Sequence, residues 1–317
     1  MNEYTTNTLI GVVEGLKTPN PALLERYFAT VSQDESEEIH FDVLSKKRRI
    51  APFVSPVVEG KVVEAAGFTT STFKPAYIKD KRVFDPSQPL KRSAGEQIGG
   101  SLSPEQRRSA YLAQQLQDQT EMITRRLELM AAEAIRTGKV TVKGDGYPEV
   151  VVDFGRAAAL SPAALAGAAL WSAGTSTPLK NLRQGAKLVR QNSGTDPVDV
   201  IMGEDAAEAF IEHATVQKRL ALRNFVGAQL APGSEIVEGL TYHGTVDRFN
   251  IFSYSGWYVD PADGVEKEIW PADQVAMTSA GIEGVREPRV RPRGHVRRHL
   301  LHGAGGAWCV VDARLLR

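Results

Sequence analysis

Three histidines near the end of the chain have the spacing that best suits metal chemistry. They are His295, His299 and His302. Intervals of four and three would place the three imidazoles on one face of a helix, and Cys309 could supply a further zinc ligand. However, Arg297 and Arg298 lie among these histidines and would repel a divalent cation. We therefore predict no metal site.

Other polar clusters are better explained by backbone geometry than by catalysis. The Gly-Asp-Gly turn at 144–146 lacks the third glycine of a dinucleotide-binding loop and lies inside a predicted hairpin. Glu204, Asp205 and Glu208 begin a predicted helix, where acidic side chains complement the helix dipole. Cys309 lacks a recognisable acid–base signature around it. We predict no catalytic residue, no cofactor-binding residue and no cofactor.

The composition argues against a dedicated nucleic-acid-binding protein, a disulfide-rich secreted protein and a membrane protein. The 317 residues include 38 Lys plus Arg and 38 Asp plus Glu, so no global positive field exists. A single cysteine cannot form an internal disulfide, which is typical of chains made in a reducing cytoplasm. Met1–Leu9 lack the basic and apolar regions of a secretion signal, and no apolar run approaches the roughly 20 residues of a membrane span. These features predict a soluble cytoplasmic product.

The clearest single element is a helix that begins after Ser103. This serine is a good N-cap, a proline follows it, and Gln106 completes a capping box. Apolar residues then recur at spacings of three, four or seven until Gly138 provides a C-terminal stop. These signals predict one helix over 103–137, roughly 50 Å long at about 1.5 Å per residue. Because Thr120 interrupts the apolar stripe, we expect this helix to lie on a sheet and not in a coiled coil.

An extended ribbon is predicted before this helix. Residues 54–63 and 67–84 are rich in β-branched and aromatic side chains bounded by Gly and Pro, which predicts two long paired strands. The second stretch has few large aliphatic side chains, and a long two-stranded ribbon is only marginally stable alone. We therefore expect the ribbon to lie on another molecule. Upstream of it, residues 22–28 predict one or two turns of an amphipathic helix within an N-terminal arm.

Strands and helices alternate irregularly in the rest of the chain. Residues 139–154 predict a β-hairpin and residues 198–202 a buried strand. A helix is predicted over 206–220, after a turn at the preceding Gly-Glu-Asp, and 245–258 and 269–278 are strand-rich. Because there is no regular βαβ alternation, the pattern predicts the α+β class.

The order of these parts resembles the lambda-type phage major capsid proteins, the capsid protein E family. The resemblance is collinear from the N-terminus to about Arg286 and rests on the order and spacing of several segments, together with the long helix. The segments are Tyr4–Thr6, Val54–Gly60, Phe73–Lys79, Val151–Arg156 and Tyr254–Val259. The family implies a Hong Kong 97-type fold with an N-terminal arm, an extended E-loop, a peripheral domain built on a long spine helix, and an axial domain.

The resemblance also implies a division of the chain into five parts. We expect an N-terminal arm at 1–50, the E-loop and its flanking segment at 51–98, and the peripheral domain with the spine helix at 99–158. An axial domain at 159–282 follows. The final part, 283–317, is an atypical C-terminal tail at the position of the peripheral domain's closing strand.

The function implied by the resemblance is structural and not enzymatic. A major capsid protein assembles with copies of itself, as hexamers and pentamers, into the icosahedral head shell around phage DNA. Scaffold, portal and decoration proteins are candidate partners. Packaged DNA would contact the inner face of the shell without sequence specificity. The expected location is the virion, after assembly in the host cytoplasm. Three alternatives stay open: a shell protein of a cellular nanocompartment with the same fold, an α+β enzyme without a recognisable motif, and a DNA-binding protein that acts through the arginine-rich end of the chain.

The composition of the chain changes after Arg286. Residues 289–317 contain seven arginines, and glycines and prolines interrupt the segment. We therefore expect little regular structure before Ala307, although 307–316 could add a strand. The sequences of family members would continue after this position with a further part of the peripheral domain. Two interpretations stay open, namely a shifted reading frame or degraded prophage gene, and a basic tail that faces packaged DNA.

Overall fold

The computed structural model describes most of the chain from residue 21 onward. The described residues are 21–31, 39–45, 50–51, 53, 67–73, 78, 103–144, 146–223, 234–237, 239–279, 284–286, 289–290, 297–298, 301–303 and 313–314. The α-helices in these ranges are α1 (Ala22–Tyr27), α2 (Pro104–Thr137), α3 (Pro178–Ser193), α4 (Glu204–Glu212) and α5 (Ala214–Arg223).

The strands in the same ranges form one large sheet and several small ones. They are β1 (Thr30–Val31), β2 (Ile39–Ser45), β3 (Gly67–Phe73), β4 (Lys139–Gly144), β5 (Tyr147–Asp153), β6 (Asp199–Met202), β7 (Ser234–Val237), β8 (Leu240–Val246), β9 (Phe249–Tyr254), β10 (Trp257–Val259), β11 (Glu266–Glu268), β12 (Gln274–Thr278), β13 (Gly284–Arg286), β14 (Arg289–Val290), β15 (Arg297–Arg298), β16 (Leu301–Gly303) and β17 (Ala313–Arg314). The large sheet has six strands in the order β17-β12-β6-β9-β8-β7.

The two faces of the six-stranded sheet support two separate apolar cores. Strand β6 is buried throughout, as predicted for residues 198–202, and its side chains alternate between the faces because successive residues of a strand point to opposite sides. Val200 and Met202 join the core that contains α3, α4 and α5. Ile201, between them, joins the core that contains α1 and α2. The sheet is therefore the middle layer of three.

The predicted helix at 22–28 exists and is anchored firmly. Leu23, Leu24 and Phe28 are almost completely buried in the core shared with α2 and the sheet. Full burial of one such side chain contributes about 1.5–3 kcal/mol to folding. The short helix α1 is thus held by tertiary packing, since six residues are too few for a stable isolated helix.

The long helix is confirmed with both of its predicted ends. The amide of Gln106 donates to the Ser103 hydroxyl at 3.2 Å, and the Ser103 amide donates to the Gln106 side chain at 2.8 Å. At the other end, Gly138 adopts a left-handed conformation with φ of 69°, and its amide donates to the carbonyl oxygen of Ala134. The buried side chains of α2 concentrate in its last three turns, where it packs on the sheet.

The hairpin predicted at 139–154 is confirmed as β4 and β5, and the ribbon strand predicted at 67–84 is described over 67–73 as β3. Strand β3 pairs antiparallel with β2 over seven residues, from Ile39 opposite Phe73 to Ser45 opposite Gly67. The partner predicted for this strand, 54–63, lies outside the described residues, as does most of 74–84. The alternating apolar residues of 39–45 give β2 the pattern of a half-buried strand, so β2 was a competing partner for β3 in the sequence itself.

The helix predicted over 206–220 is two helices. Helix α4 begins earlier, at Glu204, and the chain leaves helical geometry at His213. The ring of His213 is buried, and its Nδ1 accepts a hydrogen bond from the amide of Thr215 at 3.3 Å while its Nε2 lies 3.1 Å from the Ser176 hydroxyl. A side chain that accepts from the second residue of α5 is an N-cap, which separates the two helices.

The segment after Arg286 contains more regular structure than predicted. Short strands β14, β15 and β16 lie before Ala307. Strand β16 pairs with β13, which pairs on its other edge with β1, and β17 pairs with β12 at one edge of the six-stranded sheet. Pairing supplies partners for backbone groups of β12 and β13 that would otherwise lie at open sheet edges. The strand considered possible within 307–316 is present as β17.

Candidate functional site

The residues considered for chemistry from the sequence do not come together as a reactive site in the described part of the chain. His302 lies in β16 opposite Val285, while His295, His299 and Cys309 lie outside the described residues. Across the described ranges, no cluster of three or more His, Cys, Asp or Glu side chains could hold a metal ion. In the same ranges, no helix is both long enough and apolar enough to cross a membrane. The features that can act are therefore surfaces and the polar contacts that hold them.

The first surface is the ribbon formed by β2 and β3. Residues 67–70 of β3 are exposed, and Phe68 leaves 65% of its surface accessible. The opposite end of the ribbon is fixed, because Ile39 and Phe73 are buried against Val152 of the hairpin. An exposed phenylalanine on a ribbon whose base alone is packed is suited to contact with another molecule.

Polar contacts across the ribbon keep its two strands in register. The hydroxyl of Thr70 donates to the Asp42 carboxylate at 2.5 Å, and His40 Nδ1 lies 2.9 Å from the Thr72 hydroxyl. These pairs are directly opposite each other in the antiparallel register. Cross-strand pairs of this kind stabilise a ribbon by roughly 0.2–1 kcal/mol each. The ribbon can therefore keep its shape beyond the packed base.

The second surface is the hairpin formed by β10 and β11. Trp257 is 49% exposed and Val259 is 62% exposed, and the two residues alternate with Tyr258 on the same strand. At the turn, the ammonium of Lys267 contacts Asp260 at 2.6 Å and Asp263 at 2.7 Å. Hydrogen bonds with these carboxylates raise the pKa of Lys267 and lower the pKa of both carboxyl groups. The hairpin thus presents an apolar face beside a turn in which one ammonium bridges two carboxylates.

A buried carboxylate ties the end of α1 to the sheet. Asp199, at the start of β6, is completely buried and accepts hydrogen bonds from Arg26 Nη2 at 2.7 Å and from the Tyr27 hydroxyl at 3.0 Å. Its other oxygen accepts from the side-chain amide of Asn250 at 2.8 Å. The guanidinium of Arg26 also lies 4.6 Å from the ring centroid of Phe252, a cation–π distance. The contacts of Arg26 and Tyr27 link α1 to β6 and β9, and the contact of Asn250 links these two strands to each other.

The electrostatics of this cluster follow from burial and pairing. Partial burial lowers the pKa of Arg26, but its contacts with Asp199 outweigh that effect, so the net shift is upward. Burial, reinforced by the Asp199 charge, raises the pKa of the Tyr27 hydroxyl far above its ordinary value. Arg26 is therefore charged and Tyr27 is protonated across the ordinary pH range. Because neither side chain changes its protonation in that range, both donors stay available to the Asp199 carboxylate.

A second buried carboxylate holds the first turn of α1. Glu128 of α2 accepts hydrogen bonds from the amides of Leu23 and Leu24 at 2.8 and 3.0 Å, and from the Tyr254 hydroxyl at 3.1 Å. The first amides of a helix have no partner within it, so the Glu128 side chain takes the place of a local cap. Burial raises the pKa of Glu128, although these three hydrogen bonds oppose the shift. Glu128 also lines a cavity of about 240 Å³, together with Pro21 at the start of α1.

The sequence held a signal for both carboxylates. Asp199 is the one charged residue in an otherwise apolar strand, and Glu128 lies between Leu127 and Ala131 on the apolar stripe of α2. A carboxylate on a buried face requires a partner, because an isolated buried charge is very costly. Neither partner could be identified from spacing, since Arg26 precedes Asp199 by 173 residues and Leu23 precedes Glu128 by 105.

The chain is similar to proteins of phage heads in sequence and in fold. The family model described as phage major capsid protein E matches residues 5–289. The chain is 27% identical to the major capsid protein of Escherichia phage N15 and 26% identical to that of Escherichia phage lambda, each over 90% of this chain and 83% of the relative. Its fold is shared with a crystal structure assigned as a capsid protein of a prophage in E. coli CFT073, at a TM-score of 0.67, 19% identity and 98% coverage of both chains.

Proposed function

Since the chain belongs to the phage major capsid protein E family, we propose that it is the structural subunit of a phage head, assembling with copies of itself into a closed icosahedral shell around DNA. The family match over residues 5–289 carries this conclusion. The predicted α+β fold of the Hong Kong 97 type is confirmed by the fold shared with the prophage protein. The two phage relatives also favour a phage head over a cellular nanocompartment.

We propose the division into parts that the resemblance implies: an arm at 1–50, an E-loop segment at 51–98, a peripheral domain at 99–158, an axial domain at 159–282 and a tail at 283–317. Helix α2, with 34 residues, supports the spine-helix assignment. The core formed by α3, α4 and α5 on one face of the large sheet supports a separate axial unit. Helix α1 would be the point at which the arm is fastened to its own subunit.

The ribbon formed by β2 and β3 is our candidate for a contact between subunits. Its base is packed on its own hairpin through Ile39 and Phe73, whereas Phe68 is exposed. Burying Phe68 on a neighbouring copy would remove its apolar surface from water, which contributes about 1.5–3 kcal/mol per side chain. Many such modest contacts add up in a closed shell, because each subunit is held by several neighbours at once.

The partners we propose are copies of the chain in hexamers and pentamers, together with scaffold, portal and decoration proteins. Packaged DNA would contact the inner face of the shell without sequence specificity. The equal numbers of acidic and basic residues, 38 of each, suit this arrangement, because like subunits with a large net charge would repel one another. The chain would act in the virion after assembly in the host cytoplasm, without a catalytic step.

Assembly is the direct test of this proposal. The full chain, expressed with the scaffold protein from the same phage or prophage, should give closed shells or rings of capsomer size in sedimentation and electron microscopy. A strictly monomeric profile at high concentration, with scaffold present, would contradict the proposal. Circular dichroism of the same sample would show whether a monomeric result comes from a folded chain.

A further inference from the structure

Helix α3 carries a basic face with two exposed lysines. Lys180 and Lys187 are seven residues apart and both exposed, and neither takes part in an ion pair within the described part of the chain. Arg183, between them, is neutralised by Asp247 at 2.5 Å. At about 1.5 Å of rise per residue, the two lysines are about 10.5 Å apart along the helix axis. The uncompensated charge of this face therefore lies at two points on one side of α3.

Helix α4 carries an acidic face with the same spacing. Asp205, Glu208 and Glu212 are exposed, and none of the three makes an ion pair with any other described residue. Together with Trp171 they line a groove of about 520 Å³. Asp205 and Glu212 are also seven residues apart, so their carboxylates span about 10.5 Å of helix. The two faces match in length and are opposite in charge.

A buried hydrogen-bond donor without an acceptor belongs to Trp171, a residue that lines the acidic groove. Trp171 is 1% exposed and packs on Phe210, with ring centroids 5.4 Å apart. Its indole N–H is buried and has no hydrogen-bond acceptor in the described structure. A buried N–H without an acceptor is unfavourable, so an acceptor supplied from outside would stabilise this wall of the groove.

The positions of the two faces favour contact between copies over contact within one copy. Helix α5 packs against both α3 and α4, more closely than those two helices pack against each other. All three helices cover the same face of the large sheet. The basic face and the acidic face therefore belong to two helices that each pack on α5. Two different but complementary surfaces on one subunit give a head-to-tail contact, which forms a ring when the rotation between successive copies closes.

We propose that the acidic groove binds the basic face of α3 from a second copy of this chain. Lys180 and Lys187 of one copy would oppose the carboxylates of Asp205, Glu208 and Glu212 in the next. The inference rests on the proposed function and deepens it, because it assigns the charged contact that orders subunits within a ring. Lysine side chains bring no acceptor, so the Trp171 N–H would need a carbonyl oxygen of the incoming copy that is not already bonded within its helix.

Two charge-reversal variants of the full chain test the proposal. K180E/K187E makes both faces acidic, and E208K/E212K makes both faces basic. Either variant alone should lose ring and shell formation, with the sedimenting fraction falling about tenfold because every contact in the ring is affected. K180R/K187R keeps the charge and serves as the matched control, so it should assemble like the original chain. Thermal melting of each variant checks that it is folded.

An equimolar mixture of the two reversed variants gives the sharper result. Each basic face then meets an acidic one if the variants alternate, so mixing should restore rings with an even number of subunits but not five-membered rings. Raising the salt from about 0.1 M to 1 M should weaken the original chain's rings, since the Debye length falls from about 10 to 3 Å.

The outcomes separate this inference from the function it rests on. If the original chain assembles and the reversed variants assemble equally well alone, the contact is wrong and the proposed function stands. If both variants fail and their mixture also fails, the pairing of these two faces is equally wrong. If the original chain itself never associates under any of these conditions, both the proposed function and this inference are overturned.

Discussion

Arg26 and Asp199, separated by 173 positions in sequence, meet at 2.7 Å between Nη2 and Oδ2. Asp199 is completely buried, whereas the Arg26 side chain keeps about a third of its surface accessible. The contact joins α1 to the central strand β6, where Tyr27 and Asn250 also donate to the same carboxylate. It therefore fixes the end of α1 against the large sheet.

Removing the Asp199 carboxylate should destabilise the subunit. D199A leaves the Tyr27 hydroxyl and the Asn250 amide without their acceptor, so we expect a loss of about 3–5 kcal/mol in the free energy of unfolding. Urea denaturation measures it. D196A is the control, because Asp196 pairs with Arg190 and Arg248 at the surface and should contribute only about 0–1 kcal/mol. Equal effects of the two variants would show that the buried cluster is not a structural tie.

Glu128 should give the stability of the subunit a pH dependence of defined sign. Burial raises its folded-state pKa above the ordinary value of 4.5. Between the ordinary and the raised pKa, the folded state binds more protons at Glu128 than the unfolded state does. The contribution of this proton binding to the free energy of unfolding is therefore complete below pH 4.5 and is lost as the pH rises through the folded-state pKa. The difference in unfolding free energy between the original chain and E128Q should therefore fall as the pH rises.

Urea titrations at several pH values between about 4 and 7 would measure that difference. E121Q is the comparison variant, because Glu121 lies on the same helix but pairs with Arg125 near the surface. If the difference for E128Q stayed constant or grew with pH, then burial would not dominate at Glu128. An equal change with pH for E121Q would show that the effect is not specific to Glu128.

Substitutions of two phenylalanines in β3 should affect assembly and folding differently. Phe68 is 65% exposed and Phe73 is 7% exposed. F68S should leave the melting temperature nearly unchanged but reduce shell formation, because it removes apolar surface available to a neighbour. F73A should lower the stability by about 3–5 kcal/mol, since it empties part of a small core with Ile39 and Val152. Melting by circular dichroism and sedimentation of the same samples would check both, and unfolding by F68S would contradict the interface assignment.

Truncation after Arg286 should reveal whether the arginine-rich segment is part of the fold. It would remove β16 from the edge of β13 and β17 from the edge of β12, so we expect a lower melting temperature. An unchanged melting temperature would favour the shifted-frame interpretation. If the segment also meets DNA, its removal should weaken DNA binding and flatten the dependence of that binding on salt, because fewer phosphate contacts would remain.

Local signals in the sequence were enough to identify several elements with their ends. The capping box at Ser103 and the glycine at 138 determined both ends of α2, because each acts within a few residues of the backbone groups that it satisfies. The hairpin of β4 and β5 followed in the same way from a tight turn between two β-branched runs. The collinear order of such elements determined the family.

Tertiary structure alone decided which distant elements meet. No local signal in the sequence identified 39–45 as a partner of β3, because strand pairing depends on which strand the chain path brings alongside. Likewise, Asp199 and Glu128 each required a partner, but Arg26 and the amides of Leu23 and Leu24 could be assigned only from the fold. The sequence determines that a buried charge must be satisfied, and the packing of remote segments determines what satisfies it.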